Sequence, residues 1–257
     1  MRENLNFLIV GDTIIDEDVF LIASGISLET PTLKTVYDTR KIKFGGAANV
    51  AKQLVNYNVD VTFLTSVSDE YMNSISSTGL KIINLYQGKN NIKTRYWISH
   101  GDSTYKYLQI NNVNDENNIC TIDINITEYD VIAFSDYRCG LISKPFIEKC
   151  TSDKNIKTYA SSQISSRKSN YSLYNNVDYI VCNETESKLV GRDKNICVTK
   201  GHRGCSFNGV DYSAHKVEDV VSTMGAGDIF YAAFLASGNP EFANSEAANF
   251  IKNQTYV

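Results

Sequence analysis

Short apolar runs, each followed at once by turn-forming or polar residues, constrain the fold of this chain more than any other feature of its sequence. Such runs occupy residues 7–10, 61–64, 131–134, 179–181 and 196–199 and alternate with stretches of helical character. A continuous apolar run of this length is typical of a strand buried on both faces of a parallel sheet. The sequence therefore predicts an α/β fold with a mostly parallel sheet, and ligands of such sheets bind beyond the carboxyl ends of the strands.

Two segments lack this pattern of short continuous apolar runs. Residues 17–44 and 92–110 are rich in Thr, Tyr, Val and Ile with polar residues between them. This alternation predicts antiparallel strands with one wet face, which we interpret as a small β lid inserted into the α/β domain. No internal repeat or low-complexity linker marks a second domain, so we expect a single domain over residues 1–257. Because an exposed β lid has edges that need covering, we expect homodimerisation through it.

Charge and composition exclude several classes of protein. The net charge of -4 and the pI of about 5.5 give no overall positive field, so nucleic acid is not an expected partner. The six cysteines are scattered without a C-x-x-C pair, which argues against a zinc site. The apolar run at residues 5–10 is too short for a signal peptide or a membrane span. We therefore expect a cytoplasmic protein without a membrane partner.

The motif most suggestive of chemistry is VSTMGAGD, residues 221–228, which leads into an apolar stretch. Around Gly225, Ala226 and Gly227 the first backbone N–H groups of a helix can converge on one anion. Asp228, at the start of that helix, can accept a proton from a hydroxyl. A plain glycine turn with Asp228 as the helix N-cap explains the same residues equally well.

A second group of residues suits a polyol. Within FGGAAN at residues 44–49, Gly45 and Gly46 allow close backbone approach, and the Asn49 amide offers a donor and an acceptor. Asp12 and Asp16 follow the first apolar run and can accept hydrogen bonds from hydroxyls. The alternatives are a tight turn and helix start for the glycines, and loop solvation for the carboxylates.

A third group suits a nucleotide. Asn183 and Glu186 can orient water around a nucleotide-bound Mg²⁺, because that ion keeps much of its hydration shell. A capping box, with Asn at the N-cap and Glu three residues later, is the structural alternative. Lys200, Gly201 and Gly204 lie in a strand-to-turn segment that can pass beside a nucleotide, and a hairpin turn explains them equally well.

The order of these motifs is more specific than any one of them. Gly-Asp after the first strand, GGAAN, NETE, TKGHRG and GAGD follow in succession, and this order resembles the ribokinase-like (PfkB) carbohydrate kinase family over nearly the whole chain. The similarity is greatest to the kinase domain of bacterial D-glycero-D-manno-heptose 7-phosphate kinases, through GDTIID at 11–16, ISLETP at 26–31, FGGAANVA at 44–51 and FSDYRCG at 134–140. The resemblance implies a three-layer α/β/α fold with a mostly parallel central sheet and a small inserted β-sheet lid.

The resemblance also implies a reaction and a site. The reaction is in-line phosphoryl transfer from MgATP to a sugar hydroxyl, with Asp228 as general base and the amides of residues 225–227 as anion hole. The sugar-contacting positions are Asp12, Asp16, Gly45, Gly46 and Asn49. The nucleotide positions are Asn183, Glu186 (through water, to Mg²⁺), Lys200, Gly201, Gly204 and Asn244. Apart from the resemblance, Lys43, Arg95, Lys106 and Arg138 lie in or beside the predicted lid and the SDY loop, so we expect some of them to hold a substrate phosphate.

Departures from the family pattern leave two hypotheses open. Ser222 replaces a carboxylate often linked to monovalent-cation activation, and Asn58 replaces a glycine. Arg138 and Cys139 stand where the heptose kinases have a small residue and Lys. Residues 70–81 leave little room for the usual helix, and the sequence ends soon after the helix expected to border adenine, so we expect a trimmed nucleotide pocket. The chain is then either an active kinase for a sugar or sugar phosphate, or a pseudokinase that binds a sugar or nucleotide in a regulatory or structural role.

Overall fold

The chain folds into two β-sheets flanked by helices. The computed structural model describes residues 5–76, 79–86, 88–113, 122–163, 169–191 and 195–254. In chain order the strands are β1 (Asn6–Gly11), β2 (Thr13–Ile26), β3 (Leu33–Gly46), β4 (Asp60–Thr65), β5 (Lys81–Asn84), β6 (Asn91–His100), β7 (Ser103–Asn112), β8 (Val131–Asp136), β9 (Lys157–Ser162), β10 (Tyr179–Asn183), β11 (Ile196–Thr199), β12 (Cys205–Phe207) and β13 (Val210–Tyr212). The helices are α1 (Ala47–Val55), α2 (Asp69–Ser76), α3 (Lys144–Ser152), α4 (Glu184–Ser187), α5 (Ala226–Ser237) and α6 (Pro240–Lys252).

The larger sheet has the strand order β13-β12-β11-β10-β9-β8-β1-β4-β5. The seven strands at one side of this order, β11-β10-β9-β8-β1-β4-β5, pair in parallel. The strands β12 and β13 extend the sheet beyond β11 with antiparallel pairing. Alternate residues of β1 belong to different cores, because successive side chains of a strand point to opposite faces. Phe7 and Ile9 pack with α1, α5 and α6, whereas Leu8 and Val10 pack with α3. The predicted mostly parallel sheet, covered on both faces, is therefore confirmed.

The second sheet has the strand order β3-β2-β6-β7 and contains both segments predicted as a lid. Each segment forms the antiparallel pair expected of it, β2 with β3 and β6 with β7, but the two pairs meet through a parallel pairing of β2 with β6 that was not expected. The reason lies in the connections: β2 follows β1 and β6 follows β5, and these two strands of the larger sheet run the same way. The outer strands β3 and β7 are exposed along nearly their whole length, so neither face is fully covered.

The two sheets meet at a short junction. β1 ends at Gly11 and β2 begins at Thr13, while β3 ends at Gly46 and α1 begins at the next residue. Gly46 has a φ of 64°, and a Cβ there would lie 2.6 Å from the carbonyl oxygen of Asp12, so only glycine fits. The N–H of Ala47 donates to that same carbonyl at 3.1 Å. The residues predicted to bind a sugar therefore lie where the second sheet joins the first.

Two details correct or explain the sequence analysis. Of residues 70–81, which were expected to leave little room for the usual helix, residues 70–76 belong to the short helix α2, Asp69–Ser76. Asn58 has a φ of 56°, a conformation that Asn tolerates better than most residues, which explains how it stands in for glycine. No described helix has the length and apolar character needed to cross a membrane. That residues 1–257 form a single domain stays a prediction.

Candidate active site

Asp228 lies in the first turn of α5, where three separate parts of the chain converge. Gly225, the N-cap of this helix, has a φ of 86°, which a residue without a Cβ adopts without strain. The Tyr137 hydroxyl donates to Asp228 Oδ1 at 2.5 Å, and the Asn49 side-chain amide donates to Oδ2 at 3.2 Å. These donors come from the loop after β8 and from α1, so the carboxylate is held from both sides.

The surroundings of Asp228 adjust its proton affinity. Burial raises the pKa of Asp228 to about 6, and the nearby Asp16 carboxylate adds to this rise. The hydrogen bonds from Tyr137 and Asn49 lower the pKa, as does the positive charge of Lys93. The carboxyl group is therefore ionised at neutral pH but binds a proton more readily than an exposed Asp. This combination suits a group that accepts a proton from a hydroxyl.

Polar side chains of the second sheet border this carboxylate. Asp16 of β2 forms an ion pair with Arg95 of β6, with 2.7 Å between Oδ1 and Nη2. Gly45 lies on the neighbouring strand β3. A Cβ on Gly45 would lie 2.6 Å from Asp16 Oδ2, so glycine leaves room for the Asp16 side chain. Lys93 is in register with Asp16, and its Nζ lies 6.0 Å from the centre of the Tyr137 ring. Both signs of charge thus occur beside Asp228.

Asp12 has a different environment from the one predicted. It is only 2% exposed, and its carboxylate accepts the backbone N–H groups of Tyr137 at 3.0 Å, Cys139 at 3.1 Å and Leu141 at 3.4 Å. Burial and the neighbouring Asp136 raise the pKa of Asp12 to about 7. These contacts commit the carboxylate to the loop after β8, which favours a structural role over a contact to a sugar hydroxyl.

A cavity of about 160 Å³ lies beyond the carboxyl ends of β8, β9 and β10. Its lining includes Asn183, Glu186, Gly227 and Asp228. Sites for whole drug-sized ligands are commonly about 300–1,000 Å³, so a cavity of this size suits a phosphoryl group better than an entire nucleotide. The structure therefore brings the predicted base, one predicted amide and two predicted nucleotide residues to one cavity.

The three amides predicted as an anion hole are not equivalent. The Ala226 N–H donates to the Thr223 carbonyl at 3.2 Å, and the Asp228 N–H donates to the Gly225 carbonyl at 3.0 Å. Within the described chain, the N–H groups of Gly225 and Gly227 both lack a backbone acceptor among these turn hydrogen bonds, but of the three residues the cavity lining names Gly227 alone. The first four amides of a helix lack partners inside the helix, so Gly227 is the amide best placed for an anion.

Asn183 and Glu186 form the capping box that the sequence analysis gave as an alternative. Asn183 Oδ1 accepts the N–H groups of Thr185 and Glu186, both at 2.9 Å, and Glu186 Oε2 accepts the Asn183 N–H at 2.8 Å. Among the described residues, no cluster of three or more His, Cys, Asp or Glu forms a complete ion cage. One carboxylate at the cavity wall nevertheless fits Mg²⁺, which keeps several waters and binds substrate phosphates. Glu186 fits that role, whereas the Asn183 oxygen is engaged by α4.

The segment predicted to pass beside the nucleotide forms the alternative hairpin, with β11 and β12 antiparallel. Lys200 forms an ion pair with Asp211 of β13, two strands away from β11, and Gly201 is exposed. A Cβ on Gly204 would meet the Tyr212 carbonyl oxygen at 2.0 Å, so this glycine is needed for packing. Asn244 of α6 is 5% exposed and donates to that carbonyl at 3.0 Å. The lining of the cavity in the described chain includes none of these four predicted nucleotide residues.

Comparison with known proteins identifies the family. The profile of the pfkB family carbohydrate kinases matches residues 6–238, which include both sheets and all of α5. The chain belongs to this family. Membership of a carbohydrate kinase family agrees with a carboxylate at a helix start beside a cavity that suits a phosphoryl group.

Curated proteins similar to this pfkB chain are longer than it is. It is 25% identical over 281 residues to the bifunctional protein HldE of Campylobacter jejuni, covering 96% of this chain and 60% of that protein. It is 24% identical over 201 residues to the bifunctional protein HldE of Campylobacter fetus, covering 71% of this chain and 42% of that protein. The chain thus spans 42% to 60% of the length of these relatives.

Solved structures confirm the predicted ribokinase-like fold. The ribokinase of Arabidopsis thaliana, solved with ribose and ATP, aligns with a TM-score of 0.71 at 15% identity, over 98% of this chain and 94% of that chain. The ribokinase of Thermotoga maritima aligns with a TM-score of 0.64 at 18% identity, over the same shares of both chains. At these identities the likeness concerns the fold.

Arg138 of this pfkB chain is not placed as a surface contact for phosphate. It is 5% exposed, and its φ of 61° lies in the left-handed region that a residue with a long side chain seldom adopts. Its backbone N–H donates to the Asp136 carboxylate at 2.7 Å. The burial of Arg138 argues against the predicted contact with a substrate phosphate.

Sequence analysis missed two residues beside Asp228. Tyr137 lies within the FSDYRCG motif, so its place directly after β8 was a usable signal. Lys93 had no such signal, because its proximity to Asp228 depends on the register between β2 and β6.

Proposed function

We propose that this chain transfers the γ-phosphoryl group of ATP to a hydroxyl of a sugar or sugar phosphate, with Asp228 as general base. One observation carries the proposal: a carboxyl group with a pKa of about 6 stands at the start of α5, beside a cavity that Gly227 and Glu186 also line. Membership of the pfkB family supports it. So does the fold shared with a ribokinase solved with ribose and ATP.

In the proposed reaction the acceptor hydroxyl lies against Asp228, which takes its proton as the oxygen attacks the γ-phosphorus. The bond from that phosphorus to the bridging oxygen breaks, and ADP leaves. The amides of residues 225–227 stabilise the charge on the transferring group, with Gly227 engaged first and Ala226 once its bond to Thr223 opens. Mg²⁺, held through water by Glu186, would neutralise charge on the nucleotide phosphates.

A panel assay tests the proposed function. Sugars and sugar phosphates are screened for thermal stabilisation with and without MgATP, and those that bind are then tested for single-turnover transfer of labelled phosphate. We expect at least one to be phosphorylated. If no compound in a broad panel accepts phosphate while some still stabilise the protein, the chain is the pseudokinase of the alternative hypothesis.

We further propose a sugar phosphate, such as a heptose 7-phosphate, as the acceptor. The resemblance to heptose kinases motivates this choice, and the charges near Asp228 support it. Arg95 is already paired with Asp16, and Arg138 is buried. Lys93 is the cation best placed for a substrate phosphate, because it lies over Tyr137 and is close enough to influence Asp228.

Lys93→Met is expected to raise KM for the sugar phosphate by about 10- to 100-fold, since a hydrogen bond to a charged group contributes about 1.5–3 kcal/mol. The KM of the matching free sugar should change little. Steady-state kinetics at pH 8 measures the KM of the sugar phosphate and of the free sugar. At that pH Asp228 stays ionised even when the charge of Lys93 is lost. Lys34→Met, an exposed change on β3, is the control. An equal effect on sugar and sugar phosphate would contradict the assignment.

We also propose that two chains associate through the second sheet. Its surface has a shallow apolar groove of about 450 Å³ that includes Leu21, Leu33, Tyr107 and Leu108. Leu108, 46% exposed, would be covered by the partner, so Leu108→Lys is expected to shift the protein from dimer to monomer in sedimentation equilibrium. Leu189→Lys, at a residue 49% exposed, is the matched control and should leave the dimer intact. A wild-type monomer at all concentrations would refute the proposal.

A further inference from the structure

Tyr137 stands between the second sheet and the cavity. It lines the cavity, its ring lies 6.0 Å from Lys93 Nζ, and its hydroxyl donates to Asp228 Oδ1 at 2.5 Å. Burial, followed by the charge of Asp228, raises the pKa of Tyr137 well above its ordinary value. The hydroxyl therefore keeps its proton at all physiological pH values and remains a donor.

The backbone around Tyr137 is fixed by two buried carboxylates. Its own N–H donates to Asp12 Oδ2 at 3.0 Å, and the next N–H, that of Arg138, donates to Asp136 Oδ1 at 2.7 Å. Arg138 also holds a φ of 61°, which the chain keeps only where its neighbours over-determine the conformation. The position of the Tyr137 hydroxyl is therefore set by the fold before any substrate binds.

We propose that Tyr137 is a positioning residue for phosphoryl transfer, whose hydroxyl holds the Asp228 carboxylate in one orientation. This inference rests on the proposed function of Asp228 as the base. A carboxylate offers about four lone-pair sites, so the hydrogen bond from Tyr137 leaves room on Asp228 for an acceptor hydroxyl. Tyr137 thus acts through Asp228 and does not itself exchange a proton with the substrate.

Four groups from four elements face Asp228. They are Tyr137 from the loop after β8, Asn49 from α1, Asp16 from β2 and Lys93 from β6. The hydrogen bond from Tyr137 lowers the pKa of Asp228, so its removal raises that pKa while the other three groups remain. Asp228 then stays protonated, and unable to act as a base, up to a higher pH.

Tyr137→Phe removes this hydroxyl and keeps the ring. The pH profile of kcat is expected to rise through about pH 6 in the wild type. In the variant the acid limb should move up by about one to two pH units, with a rate loss of about 5- to 50-fold at pH 6 that largely recovers by pH 8.5. Tyr231→Phe is the matched control, because that buried hydroxyl lines the same cavity but donates to the Phe134 carbonyl. Its acid limb should not move.

A direct titration separates this inference from the proposed function. The protein is labelled with ¹³C in its Asp carboxyl groups, Asp228→Asn identifies the signal, and its midpoint is compared between wild type and Tyr137→Phe. An upward shift supports the contact even if the kinase assay fails, in which case only the proposed function falls. The role of Tyr137 is overturned if the Tyr137→Phe protein is folded and active and its Asp228 titration midpoint equals that of the wild type. The acid limb of its kcat profile would then also be unchanged.

Discussion

Asp228→Asn is expected to lower phosphoryl transfer by about 10²- to 10⁴-fold, equivalent to about 3 to 5 kcal/mol of barrier. A hydroxyl is a poor nucleophile until its proton has an acceptor, and Asp228 is the carboxylate at the helix end beside the cavity. Asn has nearly the same shape, and its oxygen can still accept the hydrogen bond from Tyr137. The measurement is single-turnover transfer to a sugar identified in the panel, with wild type and variant compared at pH 8.

The fold should survive this substitution. The melting temperature of Asp228→Asn and its stabilisation by the bound sugar are expected to stay close to wild type, which assigns the loss to chemistry. Asp60→Asn, at an exposed position of β4, is the control and should transfer phosphate at the wild-type rate. Equal rates for wild type and Asp228→Asn would remove Asp228 from the mechanism.

Asp136→Ala is expected to destabilise the protein by about 3 to 5 kcal/mol, because it leaves several buried donors without their acceptor. The Asp136 carboxylate accepts hydrogen bonds from Tyr174 at 2.7 Å, Asn170 at 2.7 Å and Ser162 at 3.2 Å, besides the backbone bond from Arg138. Relief of its repulsion with Asp12 offsets only part of this loss. Urea unfolding measures the free energy, and the melting temperature should fall by on the order of 10 °C.

The control for this prediction removes a carboxylate without buried partners. Asp60→Ala lies on the same sheet at an exposed position and should change the free energy of unfolding by less than about 0.5 kcal/mol. If Asp136→Ala proved as stable as Asp60→Ala, the polar network around the loop after β8 would not contribute to the fold as its hydrogen bonds indicate.

The fold was predictable where the signal was local. Buried parallel strands such as β1 and β8 read as continuous apolar runs, since side chains on both faces are covered. Asn208-Gly209, with φ values of 50° and 81°, is a local signal for the hairpin of β12 and β13. The parallel pairing of β2 with β6 had no such signal, because it depends on where the two strands leave the larger sheet.

The site was predictable only in part, because burial and pairing reassign side chains that look equivalent in the sequence. Asp12 and Asp16 both follow the first strand, yet Asp12 is enclosed by the loop after β8 while Asp16 faces Arg95. Tyr137 and Asp228 are 91 positions apart, so no local pattern joins them. The roles of these residues in catalysis and binding stay predictions for the assays above.

The second sheet is joined to the larger sheet at one end only of the long strand β2, so distances from the short junction differ greatly along that strand. β2 has 14 residues and is separated from β1 by Asp12 alone. Asp16 lies three positions from the start of β2. At about 3.3 Å per residue the strand reaches about 45 Å, so a tilt of about 10° carries its tip through about 8 Å but shifts a residue three positions from the base by only about 2 Å. In such a tilt Asp16 would therefore move much less than the far end of the second sheet, because it lies close to the junction.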